Sequence, residues 1–288
     1  MKPAPFDYLA PTSVEETLEL LAARGEEGKL LAGGQSLVPM LNFRLAQPEA
    51  LIDINHVAEL AYVARRDGAL HIGALTRHAE LERSTLVAEH WPLLTEALRW
   101  LAHPPIRNRG TVGGSVAHAD PAAELPVALT ALDARFVVRS RRGQRSLAPD
   151  EMFVGPLQPG LEPDELLVEI RVPALARPFG CAFVEQARRH GDFALGGVAV
   201  ALGRDGDRCR EDGARVVLLG AGPGPRRAPE AEALLASRPV DEDAARAAGE
   251  AAARAADPPT DPHADAGYRR ALIATLTRRA VLRAWERT

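Results

Sequence analysis

Ala32-Gly33-Gly34-Gln35-Ser36 is the stretch on which the reading of this chain turns, and Thr111-Val112-Gly113-Gly114-Ser115 is its echo. Each is a glycine pair followed closely by a serine. A glycine pair lets the backbone turn sharply and approach a ligand, because no Cβ intervenes. Consecutive free N–H groups in such a turn form an anion-binding concavity, and a nearby serine adds a hydroxyl donor. Two such loops facing each other are predicted to hold the two phosphates of a dinucleotide.

Working outward, Lys29 to Ala32 reads as a strand that runs into the first loop, and Ser36 to Leu41 as a helical turn after it. Upstream, Ser13 and Glu16 have the spacing of a capping box. They open a helix whose buried face is Leu18, Leu20 and Leu21 and which Gly25 ends. Ala50 to Ile54 is an apolar strand. Leu60 to Ala64 and Leu70 to Ala74 read as a hairpin around Arg65-Arg66-Asp67-Gly68. Thr76 is the expected N-cap of the helix containing Leu81. Pro92 to Ala102 is an amphipathic helix, and Ile106 to Gly110 is a polar approach to the second loop. A helix through Leu132, a hairpin over 135–147 and a strand from Leu166 to Val172 follow.

A boundary falls near Pro173 to Gly180, where prolines and a glycine break the pattern. Beyond it, Ala182 to Ala187, Leu195 to Leu202 and Ala214 to Ala221 read as an antiparallel meander, with a loop from Arg204 to Gly213. Helices over Pro229 to Ser237, Asp241 to Ala256 and Tyr268 to Arg287 complete the chain.

Several function classes drop out. The 35 basic and 39 acidic residues give a net charge of −4, which argues against a general nucleic-acid binder. Two cysteines, Cys181 and Cys209, cannot hold an iron–sulfur cluster or a four-cysteine zinc site. They suit a reducing compartment. No signal peptide or membrane span is expected, so the predicted location is cytoplasmic. The eight histidines show no H-E-x-x-H pairing, and no G-x-S-x-G elbow is present. Gly220-Ala221-Gly222-Pro223-Gly224-Pro225 fails as a Rossmann fingerprint, because Pro225 stands at the third glycine and prolines lack the donors phosphate needs. No catalytic residue and no metal ligand is predicted.

Lys29 through Met40, Gln47-Pro48 through Asn55, Ile106 through Ser115 with Ala119-Asp120-Pro121, Glu165 through Ile170 and Arg188 through Phe193 together resemble the FAD-binding medium subunit of molybdenum hydroxylases. These are the carbon monoxide dehydrogenase and xanthine dehydrogenase relatives, and the resemblance runs through nearly the whole chain in order. It implies an α+β fold. Residues 1–175 would be an FAD-binding domain of vanillyl-alcohol-oxidase (PCMH) type, with subdomains of about 1–56 and 57–175. Residues 176–288 would be a C-terminal three-stranded antiparallel sheet with a helical bundle.

The resemblance further implies FAD as cofactor, bound by Leu31, Ala32, Gly33, Gly34, Gln35, Ser36, Leu37, Ile106, Gly110, Thr111, Gly113, Gly114, Ser115, Asp120, Leu166 and Phe193. The two loops would hold the diphosphate and Asp120 the ribityl or nearby hydroxyls. Leu166 would line the adenine or dimethylbenzene side, and Phe193 would lie near the isoalloxazine. Partners would be a small [2Fe–2S] subunit and a large molybdopterin subunit, in a heterotrimer that dimerises. Electrons would pass from the clusters to FAD and on to a quinone, NAD or oxygen. Two departures stand out: Gln35 replaces a frequent His or Asn, and Glu185 lies where many relatives carry a basic residue touching the flavin. The rival readings are a stand-alone FAD oxidoreductase of the same fold and a non-catalytic nucleotide-binding assembly subunit.

Overall fold

The computed structural model describes residues 1–288. Its first unit is a small parallel sheet in the order Asp7–Leu9, Ala50–Asp53, Gly28–Leu31, packed on the helix Val14–Arg24. Ser13 caps that helix through its hydroxyl, which accepts from the Glu16 amide at 3.1 Å. The carboxylate of Glu16 accepts from the Thr12 amide at 2.8 Å, so the reciprocal half of the capping box reaches one residue further back than predicted.

The second unit is a five-stranded antiparallel sheet in the order Val63–Arg66, Ala69–Gly73, Leu166–Val172, Arg135–Ser140, Gly143–Leu147. Its helices include Pro92–Trp100 and Glu124–Ala131, which bury Leu93, Leu94, Leu98, Leu125 and Leu129. At about 25 cal/mol per Å2, fully burying each leucine contributes roughly 2 kcal/mol.

The C-terminal unit is an antiparallel sheet of Phe179–Ala187, Ala194–Asp205 and Arg208–Leu219, with the two-residue edge strand Arg226–Arg227. One face packs on the helices Pro229–Leu235, Glu242–Ala255 and Ala266–Glu286, around Val198, Val200, Val216 and Leu218. The opposite face turns Cys181, Phe183, Ala199, Ala201, Val217 and Leu219 into the same 34-residue core that holds Leu93, Leu125 and Phe136. Alternation along the strands thus serves two cores at once.

Three local expectations are revised. The predicted loop from Arg204 to Gly213 is mostly strand, because the hairpin turns tightly at Asp205–Arg208, where Gly206 takes φ +59°. Thr76 does not cap a helix: its hydroxyl donates to the Tyr62 carbonyl at 2.7 Å, and the helix spans His78–Arg83. Ile106 to Gly110 is the end of a short helix, Pro104–Arg109, that the two prolines start rather than break.

Candidate functional site

The first glycine loop leaves the strand Gly28–Leu31 and leads into the helix Leu37–Asn42. Gly34 has φ +72°, a left-handed conformation that glycine adopts without a Cβ penalty. Gln35 donates from Nε2 to the Gly33 carbonyl at 2.9 Å and pins the turn from within. The backbone amides of Gly33, Gly34, Gln35 and Ser36 donate to no acceptor in the chain. Four successive unsatisfied donors on one turn form a ready anion cradle.

The second loop is built differently. Thr111 is the N-cap of the helix Val112–His118, and its hydroxyl accepts from the Gly114 amide at 3.0 Å. Val112 donates to Thr76, Gly113 to Ala74 and Ser115 to Thr111 through their backbones. These amides are therefore committed, and the predicted symmetry of two N–H cradles does not hold. The glycines are needed here for packing: a Cβ on Gly113 would lie 2.6 Å from Ala74 Cβ, and one on Gly114 would lie 2.7 Å from Thr111 Oγ1. The expectation missed this because a glycine pair looks alike in sequence whether it frees donors or admits a neighbour.

The two loops do meet. A Cβ on Gly33 would fall 2.4 Å from the Arg109 carbonyl oxygen and 2.7 Å from Gly110 Cα, and one on Gly114 would approach Ala32 Cβ at 4.0 Å. Leu31, Ala32, Leu37, Ile106, Gly114, Ser115 and Asp120 are half-buried, Ser36 is exposed, and Gly33, Gly110, Thr111 and Gly113 are buried. Asp120 accepts from the Ala122 amide through Oδ1 at 2.8 Å, which fixes its carboxylate beside the helix exit. Phe193 is 73% exposed, on the turn between Phe179–Ala187 and Ala194–Asp205. Leu166 is 1% exposed and belongs to the core cluster against which Ala32 packs.

Beside the second loop the ring of His78 is enclosed under Gly110, whose Cβ would come within 2.8 Å of Nδ1. Burial pushes its pKa down to about 4, so it is neutral at physiological pH. Between this region and the C-terminal sheet lies a pair of enclosed carboxyls. Burial, reinforced by the charge of Glu124, pushes Glu185 up to about 8. Burial also pushes Glu124 up to about 7, with a smaller push from Asp120. Glu185 is 4% exposed, and neither of its oxygens has a partner in the chain. Cys181 and Cys209 are buried free thiols, pushed up by burial to about 12 and about 11, and are thereby inert as nucleophiles.

A cofactor with a diphosphate and a flat ring suits these residues: a run of open amides, a hydroxyl-bearing turn against it, an oriented carboxylate and an exposed aromatic ring. The family described as "FAD binding domain in molybdopterin dehydrogenase" matches residues 4–175, and that described as "CO dehydrogenase flavoprotein C-terminal domain" matches residues 181–284. The chain belongs to the FAD subunits of the molybdenum hydroxylases. It is 46% identical to the 6-hydroxypseudooxynicotine dehydrogenase complex subunit alpha of Paenarthrobacter nicotinovorans, over 100% of this chain and 97% of that one. It is 42% identical to the caffeine dehydrogenase subunit beta of Pseudomonas sp. (strain CBB1), over 100% and 97%. Its fold is similar to a chain of carbon monoxide dehydrogenase from Hydrogenophaga pseudoflava, with TM-score 0.96, 40% identity and coverage of 100% and 99%. FAD is accordingly the cofactor of this molybdenum hydroxylase subunit, and oxidoreduction is its chemistry.

Outside the glycine loops, the sequence reading gave no role to Arg77 or Glu124, and placed Asn55 only as the end of a matching stretch. Arg77 carried no usable signal in a chain whose basic residues are nearly all arginine. Asp53-Ile54-Asn55 did carry one, since Asp and Asn at a strand end favour local hydrogen bonding over continued extension.

Proposed function

We propose that this chain is the electron-transfer subunit of its complex, with FAD seated between the two glycine loops. The observation that carries this reading is the run of open amides from Gly33 to Ser36, set against the second loop at Arg109–Gly110. In this seat the amides of Gly33 to Ser36 take the diphosphate, and Thr111 and Ser115 face it from the other side. Leu31, Ala32, Leu37 and Ile106 flank the nucleotide. Asp120, held by the Ala122 amide, accepts from the ribityl or a nearby hydroxyl. Phe193 lies against the isoalloxazine. The FAD-binding part ends near residue 175, and the C-terminal sheet carries Phe193 to the ring.

Bound FAD supplies the conversion between one-electron and two-electron chemistry, taking electrons from [2Fe–2S] clusters of a small subunit and giving a pair to an external quinone, NAD or oxygen. The residues of this chain bind and orient it and need no acid–base pair of their own. Substrate choice lies with a large molybdopterin subunit. In support, relatives named for 6-hydroxypseudooxynicotine, caffeine and carbon monoxide all align with this chain over its full length. We place the chain in a heterotrimer that dimerises, in the cytoplasm; no helix is long and apolar enough to cross a membrane.

The test is to purify the chain with its neighbours, measure FAD per subunit and record whether substrate bleaches the flavin band. A folded complex without FAD sinks the proposal. So does unaltered FAD affinity in both Gly33→Asp and Gly114→Asp. Full turnover by the isolated chain would favour a stand-alone oxidoreductase instead.

A further inference from the structure

The first glycine loop follows a strand of the three-stranded parallel sheet, whereas the second lies between two helices and bonds back to Ala74 and Thr76, just past a strand of the five-stranded sheet. Hydrogen bonding within either sheet therefore does not set the gap between the loops. A chain of side chains runs beside them. Asn55 follows the strand Ala50–Asp53, and its Nδ2 donates to the Ala32 carbonyl at 2.8 Å. Its Oδ1 accepts from Arg77 Nη2 at 2.7 Å. The other terminal nitrogen of Arg77, Nη1, donates to the Arg109 carbonyl. That is the carbonyl against which Gly33 is packed.

Both ends of this tie are anchored. The Asp53 carboxylate accepts from the Asn55 amide at 3.0 Å, from Asn55 Nδ2 at 2.5 Å and from the Tyr8 hydroxyl at 2.6 Å. Arg77 is bridged to Thr111 through the backbone, with His78 donating to Gly110 at 3.0 Å and Val112 donating to Thr76 at 2.9 Å. A guanidinium suits the place because its planar fork aims separate nitrogens at separate acceptors, where a lysine offers one nitrogen.

We propose that Arg77 is a positioning residue which fixes the spacing of the two glycine loops, through Asn55 on one side and the Arg109 carbonyl on the other, and so sets how tightly the diphosphate of FAD is held. This rests on the reading of the loops as the FAD seat. Losing the guanidinium leaves Asn55 Oδ1 and the Arg109 carbonyl without their donor and frees the first loop to shift against the second.

The experiment uses the purified complex, stripped of flavin and titrated with FAD while flavin fluorescence is followed. Arg77→Ala and Asn55→Ala are each expected to weaken FAD binding about tenfold or more, the effect of losing a charge-assisted bond. The double variant is expected to be no weaker than the worse single one, because both break the same tie. Arg77→Lys, which can keep one of the two bonds, is expected to fall between Arg77→Ala and the unmodified protein. A purely structural role would instead lower the melting temperature of the flavin-free complex and leave the affinity of the folded fraction unchanged. Unchanged affinity in folded Arg77→Ala, or losses that add in the double variant, overturns the inference. If Arg77→Ala fails to assemble, Asn55→Ala and Arg77→Lys make the same comparison. An unmodified complex that takes up no FAD overturns the FAD seat and this inference together; FAD uptake with indifferent variants overturns this inference alone.

Discussion

Gly33 and Arg109 are packed so closely that a single methyl group on Gly33 would lie 2.4 Å from the Arg109 carbonyl oxygen. The obstacle is backbone, so it cannot swing aside. Gly33→Ala is expected to push the loops apart at a cost of about 1–3 kcal/mol, and FAD content of the purified complex should fall sharply. Gly34→Ala provides the contrast. Its Cβ would meet the Val38 and Leu31 side chains at 3.0 and 3.1 Å, which can shift. It therefore suffers mainly the strain of φ +72°, about 1 kcal/mol. Thermal melting with FAD quantitation tells the two apart; equal behaviour would mean the contact with Arg109 is unimportant.

Thr111 gives a second prediction, because its hydroxyl caps the helix that carries the second glycine pair. Thr111→Ala should cost about 1 kcal/mol of stability and Thr111→Ser should restore most of it. Chemical denaturation of the flavin-free protein measures this without reference to the cofactor. Ser115→Ala, one turn further on, should lower FAD affinity with little change in that denaturation curve.

The pH dependence of stability carries the signature of Glu185 and Glu124. Their folded pKa values, about 8 and about 7, lie above the ordinary 4.5. The native state thus binds protons that the unfolded chain releases, so this contribution is fully present below about pH 4.5 and is lost progressively as pH rises through 7 to 8. Glu185→Gln mimics the protonated acid. It should match the unmodified protein near pH 4 and exceed it in stability increasingly as pH rises to 8, by on the order of 4 kcal/mol at the upper end. Parallel melting curves at both pH values would show that Glu185 is not held protonated in the fold.

Phe193 loses almost nothing on truncation in the free chain, since 73% of it is already exposed. Phe193→Ala should leave the melting of the flavin-free protein within about 0.5 kcal/mol of the original. If the ring lies on the isoalloxazine, the visible absorption band of the FAD-loaded complex should shift in the variant. An unshifted band would remove Phe193 from the seat.

Much of this architecture was legible from short-range chemistry. The strand before the first loop, the helix capped by Ser13, the hairpin at Arg135–Leu147 and the three C-terminal helices all follow from alternation, caps and breakers. The approach of the two glycine loops was legible as well, from their repeated pattern. What escaped was tertiary. Only the fold reveals that Ala74 and Thr76 take up the amides of Val112 and Gly113, which makes one loop a donor and the other a spacer. Leu166 drew its expected role from the family resemblance alone, and only the fold shows how deeply it is enclosed. Arg77 lies 22 residues from Asn55 and 32 from Arg109, and no local pattern links such positions.

The C-terminal sheet gives one of its faces to the core of the preceding region, through Phe183, Ala199, Val217 and Leu219. Cutting the chain after residue 175 would leave that apolar ground uncovered on both fragments and invite aggregation rather than yield a smaller working flavoprotein. Anyone grafting the C-terminal part of one relative onto another would have to carry the facing residues of Pro92–Trp100 and Glu124–Ala131 along with it. The seam between the two matched families is a boundary in sequence, but mechanically the protein is one piece.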